Sequence, residues 1–271
     1  MSPTAPAPLS PATPRRFPAV QLGGMLFTLV EPWRDRQVDY NRWYEGDHFY
    51  ATVFGPGVLG GRRYVCTSSL KKLRVIDDGQ VVPSAEVGSY LALYWMTDTA
   101  AFNEWGSVNT LALHAANRIF AERDHIHTLM YDLDSWHPRD PSGVSPELAL
   151  EHPFDFLIVE VVTAGPATAE MPQWPTEEHV SAAISATGAA LVLSFRPVPL
   201  LDNAPADVPR ATGLANTYLQ LHFHNDSSPA AAMAALGDLW ASQTPGGARL
   251  RFLSPFVPTI PGSDKYTDEL W

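Results

Sequence analysis

The sequence predicts an α+β fold of two tandem βαββαβ units whose sheets face one another. Three observations predict it. The run Trp43–Thr67 (WYEGDHFYATVFGPGVLGGRRYVCT) writes an amphipathic helix, a Gly-Pro-Gly break and a strand in succession. A decayed copy follows 131 positions later, with Trp43, Asp47, His48, Gly57 and Tyr64 matched by Trp174, Glu178, His179, Gly188 and Phe195. Ser89–Asp98 (SYLALYWMTD) returns without gaps as Thr217–Asp226 (TYLQLHFHND) at an offset of 128, so one three-residue deletion reconciles the two alignments.

Taken in order, residues 1–19 are rich in Pro, Ala, Ser and Thr and lack the apolar middle of a signal peptide. They read as a disordered arm. The first repeat, 20–135, opens with the apolar strand Gly24–Val30. Val38, Tyr40, Trp43, Tyr44, Asp47 and His48 then recur at helical spacing, with Asp35 placed to cap that helix. A strand from Gly61 to Ser68 follows, then a loop or hairpin over Lys71–Ala85, a strand over Gly88–Thr97, a helix over Thr99–Arg123 and a strand over His125–Asp132. Residues 136–153 read as a linker.

The second repeat, 154–262, repeats the order. Its strand Phe154–Val162 falls on Met25–Glu31, and its helix Pro175–Thr187 has a proline suited to a first turn. Strand Ala190–Val198, a proline-rich loop over Pro199–Gly213, strand Thr217–Asp226, helix Ser228–Ser242 and strand Leu250–Val257 complete it. The tail, 263–271, ends in Leu270-Trp271, an apolar pair expected to dock on the barrel or on a neighbouring chain.

Composition excludes several classes. At 271 residues, with 45% hydrophobic and 11% aromatic content, the chain reads as a soluble globular protein. A formal charge of −11 argues against a nucleic-acid partner. No apolar run approaches the roughly 20 residues that span a bilayer. One cysteine, Cys66, allows no internal disulfide and fits a reducing cytoplasm. Nucleotide-binding glycine loops, GxSxG and CxxC are missing, which disfavours nucleotide cofactors and acyl-enzyme chemistry.

A βαββαβ unit is a ferredoxin-like sandwich, and two such units bury their open sheet faces by pairing. Tyr40-Asn41-x-Trp43-Tyr44-x3-His48, followed by Pro56-Gly57 and Arg62-Arg63-Tyr64, resembles the dimeric α+β barrel superfamily, particularly its EthD-like members. The resemblance spans Gly24–Asp132 well and Phe154–Pro258 weakly. It implies one barrel from both halves of this chain. The superfamily holds cofactor-free monooxygenases, polyketide cyclases, lactone isomerases and a haem-binding branch, so the site must decide the function.

Alternate strand residues share a face. Tyr218, Gln220, His222 and His224 are expected to face the barrel interior, with Leu219, Leu221 and Phe223 under the helices. The first repeat carries Tyr90, Ala92, Tyr94 and Met96 at the matching positions. The expected function is therefore a cofactor-free lyase, isomerase or cyclase acting on an aromatic or polyketide-like substrate in the barrel interior. His222 and His224 would be acid and base, His48 a further proton-transfer candidate, and Tyr94, Tyr218 and Arg63 would orient substrate oxygens. Tyr44, Tyr64, Tyr90, Tyr218 and Gln220 would line the pocket.

Other readings remain. Glu160, aligned on Leu29, could join His222 and His224 as a divalent-metal site for a lyase or oxygenase. His125 and His127 form a second His-x-His expected on one face. His48 recurs as His179, which favours a structural role for both. Haem is disfavoured because His114 is the sole histidine on either second helix. The chain could instead be a non-catalytic binder of a hydrophobic metabolite, and an exposed sheet edge or Trp271 could drive homodimer formation.

Overall fold

The structure, a computed structural model, describes residues 20–77, 81–165, 174–204, 208–209, 216–225, 227–242 and 247–271. The expected N-terminal arm and much of the proline-rich loop lie outside them. The first repeat runs β1 (Gly24–Pro32), α1 (Gln37–Trp43), a π-helical turn (Tyr44–His48), α2 (Phe49–Val53), β2 (Val58–Val65), α3 (Ser68–Lys71), β3 (Val75–Ile76), β4 (Tyr90–Met96), α4 (Thr99–Ala115) and β5 (Arg123–Pro138). The second runs β6 (Phe156–Thr163), α5 (Glu177–Thr187), β7 (Leu191–Val198), β8 (Thr217–His224), α6 (Pro229–Ser242) and β9 (Arg249–Pro258).

The strands pair in the order β2-β4-β1-β5-β7-β8-β6-β9, and β2 pairs again with β9, which closes a ring of eight. The short β3 adds to β9 beside that seam. All pairings are antiparallel. Each repeat supplies four neighbouring strands, so the two ferredoxin-like sheets face one another and meet at β5–β7 and β9–β2. No described helix is long and apolar enough to cross a membrane.

Local chemistry sets the elements. Thr176 caps α5 by accepting from the His179 backbone N–H (3.2 Å), which places Pro175 before the helix rather than in its first turn. Asp35 does not cap α1; it sits at φ 67°, and Arg36 occupies the cap position with no side-chain bond. The matched glycines Gly57 and Gly188 both lie at positive φ, 70° and 71°, in the turn from helix to strand of each repeat; Gly188 caps α5 and Gly57 directly precedes β2. The linker is shorter than expected, because β5 continues to Pro138 and pairs Trp136–Pro138 with Leu191–Leu193.

The barrel interior corrects the expected facing. One apolar cluster takes residues from all eight ring strands, among them Phe27, Leu93, Leu129, Leu157, Leu193, Phe223 and Phe252. Leu219, Leu221 and Phe223 therefore fill the interior, and Tyr218, Gln220, His222 and His224 face the helices. An eight-stranded barrel is just wide enough for its own side chains, so its inner face must be the apolar one. A polar strand residue is better satisfied in the outer layer, where helix side chains can meet it. Tyr64, expected in the pocket, is an interior residue. His125 and His127 do not share a face either: an irregularity beside Leu29/Val30 pairs His127 with Leu29 and His125 with Val30.

The tail lies across the first repeat. Leu270 is fully buried, and Trp271 donates its indole N–H to the buried Glu31 (3.0 Å), which also accepts from the Ser89 N–H (2.7 Å). Truncating an interior side chain tests the packed barrel: Leu221→Ala should lower unfolding free energy by about 2–5 kcal/mol in urea titrations. A loss below about 1 kcal/mol would mean an interior open enough to serve as a binding chamber.

Candidate active site

The outer layer of each repeat, between sheet and helices, holds the polar side chains. In the first repeat it contains a partly open cavity of about 120 Å³. Its apolar wall is Leu26, Phe102, Trp105, Leu113 and Met130; its polar end is Tyr44, His48, Tyr94, Thr128, Arg123 and His125. Leu200, Ala204 and Val208 lie at its edge, with the exposed His114.

Helix and strand together bring these groups into place. Tyr44 and His48 begin and end the π turn, an inserted register that occurs often at functional sites. Their rings lie 5.1 Å apart, and His48 stacks on Trp43 at 4.6 Å. Tyr94, from β4, shares a 2.7 Å hydrogen bond with the Tyr44 hydroxyl. Arg123 opens β5, reaching the Phe120 carbonyl and His125 Nε2, the latter at 3.1 Å. Asp47 does not serve His48, since its carboxylate is engaged by Arg118.

Electrostatics keep the imidazole neutral. Burial, then the charge of Arg123 and the nearby His125, lower the His48 pKa to about 3. Its Nδ1 is buried with no hydrogen-bond partner among the described residues. Burial raises both Tyr44 and Tyr94, so their hydroxyls stay protonated and can donate. Arg63 lies behind this surface. Its guanidinium sits 4.4 Å over Tyr44 and 4.9 Å over Tyr90, and its Nη1 donates to Asn41 Oδ1 (2.7 Å) and Glu45 (3.2 Å). It supports the tyrosines and is not in the cavity lining.

The second repeat fills the same place. Register pairs Glu160 with Gln220 and Thr28 with Ala92, so Glu160 corresponds to Thr28, which lines the cavity, and not to the interior residue Leu29. By the same register His222 corresponds to Tyr94. His222 Nε2 lies 2.7 Å from Glu160 Oε2, Trp240 donates to Oε1 (2.6 Å), and His179 Nε2 lies 3.9 Å away. Burial alone would raise the Glu160 carboxyl, but the hydrogen bond with His222 and the nearby His179 imidazole outweigh it and hold the pKa at about 2. Trp174 and Trp240, their rings 5.1 Å apart, pack around His179.

His224 stands apart, stacked on Phe156 at 4.5 Å. Glu160 and His222 therefore meet, but His224 does not join them, and among the described residues no three His, Cys, Asp or Glu side chains converge as a metal site requires. The residues expected to share one site thus separate. His48, Tyr44, Tyr94, Tyr90 and Arg63 belong to the first repeat, and His222, His224, Tyr218, Gln220 and Glu160 to the second. Arg123, Thr128 and the α4 wall were missed. Arg123 and His125 do share one strand face with Thr128, but the face becomes legible only once the strand irregularity is known.

Solved structures share this architecture. A candidate chlorite dismutase matches at 10% identity over 92% of this chain and 100% of its own, with a TM-score of 0.51. A candidate monooxygenase from Fusobacterium nucleatum subsp. nucleatum matches at 12% over 88% and 94%, at 0.48. A heme-binding protein from Thermus thermophilus matches at 10% over 89% and 93%, at 0.44. The likeness is one of fold. The chain is an α+β barrel. No protein-family model and no curated protein matches it.

The packed second repeat yields a stability prediction. Removing His222 leaves the buried Glu160 carboxylate without that hydrogen-bonding partner, so His222→Leu should cost about 3–5 kcal/mol in urea unfolding at pH 7. Glu160→Leu/His222→Leu should cost much less than the two single changes added together. Because the Glu160 pKa is lowered in the fold, its contribution is complete above pH 4.5 and fades as pH falls through about 2. The double variant should lose that part of the acid sensitivity. A His222→Leu cost under about 1 kcal/mol would show that the pair does not hold the repeat.

Proposed function

We propose that the chain is a small-molecule enzyme that performs acid–base chemistry in the first-repeat cavity. The observation that carries this reading is the convergence there of a neutral, partly unpartnered imidazole and a tyrosine hydroxyl pair on an apolar pocket. Both residues of the EthD-like motif that fall in the π turn, Tyr44 and His48, line that cavity.

In this reading His48 takes a proton from an acidic C–H or O–H of the substrate. The Tyr44–Tyr94 pair donates a hydrogen bond to the oxygen on which negative charge develops, and Arg123 supplies a cation beside it. The imidazolium then returns the proton to a different atom, completing an isomerisation, an elimination or a ring closure. A pKa near 3 leaves the free imidazole weakly basic, but an enolate forming in contact with it raises that value. His222 and His224, the acid and base expected from sequence, lie under the other pair of helices and take no part.

Heme is bound by two of the proteins that share this fold, the Thermus thermophilus protein and a Rhodococcus jostii DypB variant. The first-repeat cavity, at about 120 Å³, falls below the roughly 300–1,000 Å³ of sites for drug-sized ligands. A tetrapyrrole exceeds the cavity's volume, so the lining of this cavity does not fit it.

Proton abstraction can be tested before the substrate is known. NMR should detect exchange of the acidic C–H of small enolisable ring ketones with D₂O in the presence of wild-type protein. His48→Gln should slow that exchange by roughly 10²–10⁴-fold with the thermal midpoint unchanged. Exchange at the wild-type rate in the variant would remove His48 from the role, and no exchange above buffer across such a panel would count against the enzyme reading.

A further inference from the structure

We infer that the first-repeat cavity takes a single-ring aromatic carrying an acidic oxygen, such as a phenol, an enolised ring or a benzoate-type acid. The inference deepens the proposed function and rests on its choice of site. Size comes first. A closed cavity of about 150 Å³ lined by aliphatic and aromatic side chains holds one benzene ring, and the cavity here is about 120 Å³. Leu26, Phe102, Trp105 and Met130 offer an apolar wall of that scale, and a fused second ring exceeds the volume they enclose.

Charge comes second. In a protein of net charge −11, no Asp or Glu lines the cavity among the described residues, while Arg123, His48 and His125 do. Among the buried polar atoms of the lining, His48 Nδ1 and Thr128 Oγ1 have no hydrogen-bond partner among the described residues. A bare apolar ring would leave both so, at a desolvation cost, and a ring bearing an oxygen satisfies them. The remaining charged groups around His48 are accounted for. Arg123 and His125 face it from β5 and Arg63 from β2; Asp47 on its own helix is engaged by Arg118. An anion entering here would reverse the local sign and draw a proton onto His48.

Calorimetry at pH 5.5 in two buffers of different ionisation enthalpy tests this. Benzoate and 4-hydroxybenzoate should bind with uptake of up to about one proton, at least tenfold more tightly than neutral benzyl alcohol and than the fused-ring 2-naphthoate. Arg123→Gln should weaken benzoate at least tenfold. Gly106→Leu, which adds bulk to the lining at a helical position whose Cβ would meet Phe102 at 3.5 Å, should abolish binding while the thermal midpoint holds. Equal binding of benzyl alcohol, preference for 2-naphthoate, or undiminished binding in Gly106→Leu would overturn the assignment. Binding without any turnover would leave the ligand class standing and remove the enzyme reading. Exchange chemistry on fused-ring substrates alone, with no binding of single-ring acids, would do the opposite.

Discussion

The structure depends on closure of the barrel. Eight strands in a ring leave an interior that only apolar side chains can fill, and Phe27, Leu93, Leu157 and Phe223 fill it. Once the interior is committed to packing, polar strand residues such as Glu160, Gln220 and His222 face outward, toward the helices, while His127 stays inside by bonding to the Tyr131 hydroxyl. The chemistry of the chain is thereby moved into two thin layers, one per repeat. Each is bounded by a sheet face and a helix pair.

The two layers began from one plan and reached opposite ends. In the first, Thr28, Tyr94 and His48 are small or well enough spaced to leave a cavity. In the second, Glu160, His222 and His179 stand at the matching places and close on one another with Trp174 and Trp240. A carboxylate buried this deeply is costly unless it is paired, and its histidine and tryptophan partners supply that pairing. The same backbone thus offers a cavity on one side and a packed, buried wall on the other.

Much of the fold was legible in the sequence, because the 131-residue offset and the strand patterns are local and strong. The repeat, the order of elements and the Gly57 and Gly188 turns all follow from that. Facing was not legible. Leu219-Gln220-Leu221-His222 alternates cleanly, but alternation says only that two faces differ, and whether helices or the barrel interior take the apolar one depends on ring closure. The same limit misplaced Glu160 by one residue onto Leu29, since an ungapped alignment cannot see a register set by pairing with β4 and β8. Tyr44, His48 and Tyr94 were visible as residue types; Arg123 and Thr128 were hidden by the irregularity in β5.

Histidine-selective NMR would test the central claim most directly, that the first repeat holds the site and the second is a packed support. With the nine histidines assigned by substitution, benzoate would be titrated into the intact protein. The account predicts that the His48 and His125 imidazole resonances move and saturate together while those of His179, His222 and His224 stay in place. Movement of His222 and His179 with His48 unmoved would contradict it and return the site to the second repeat.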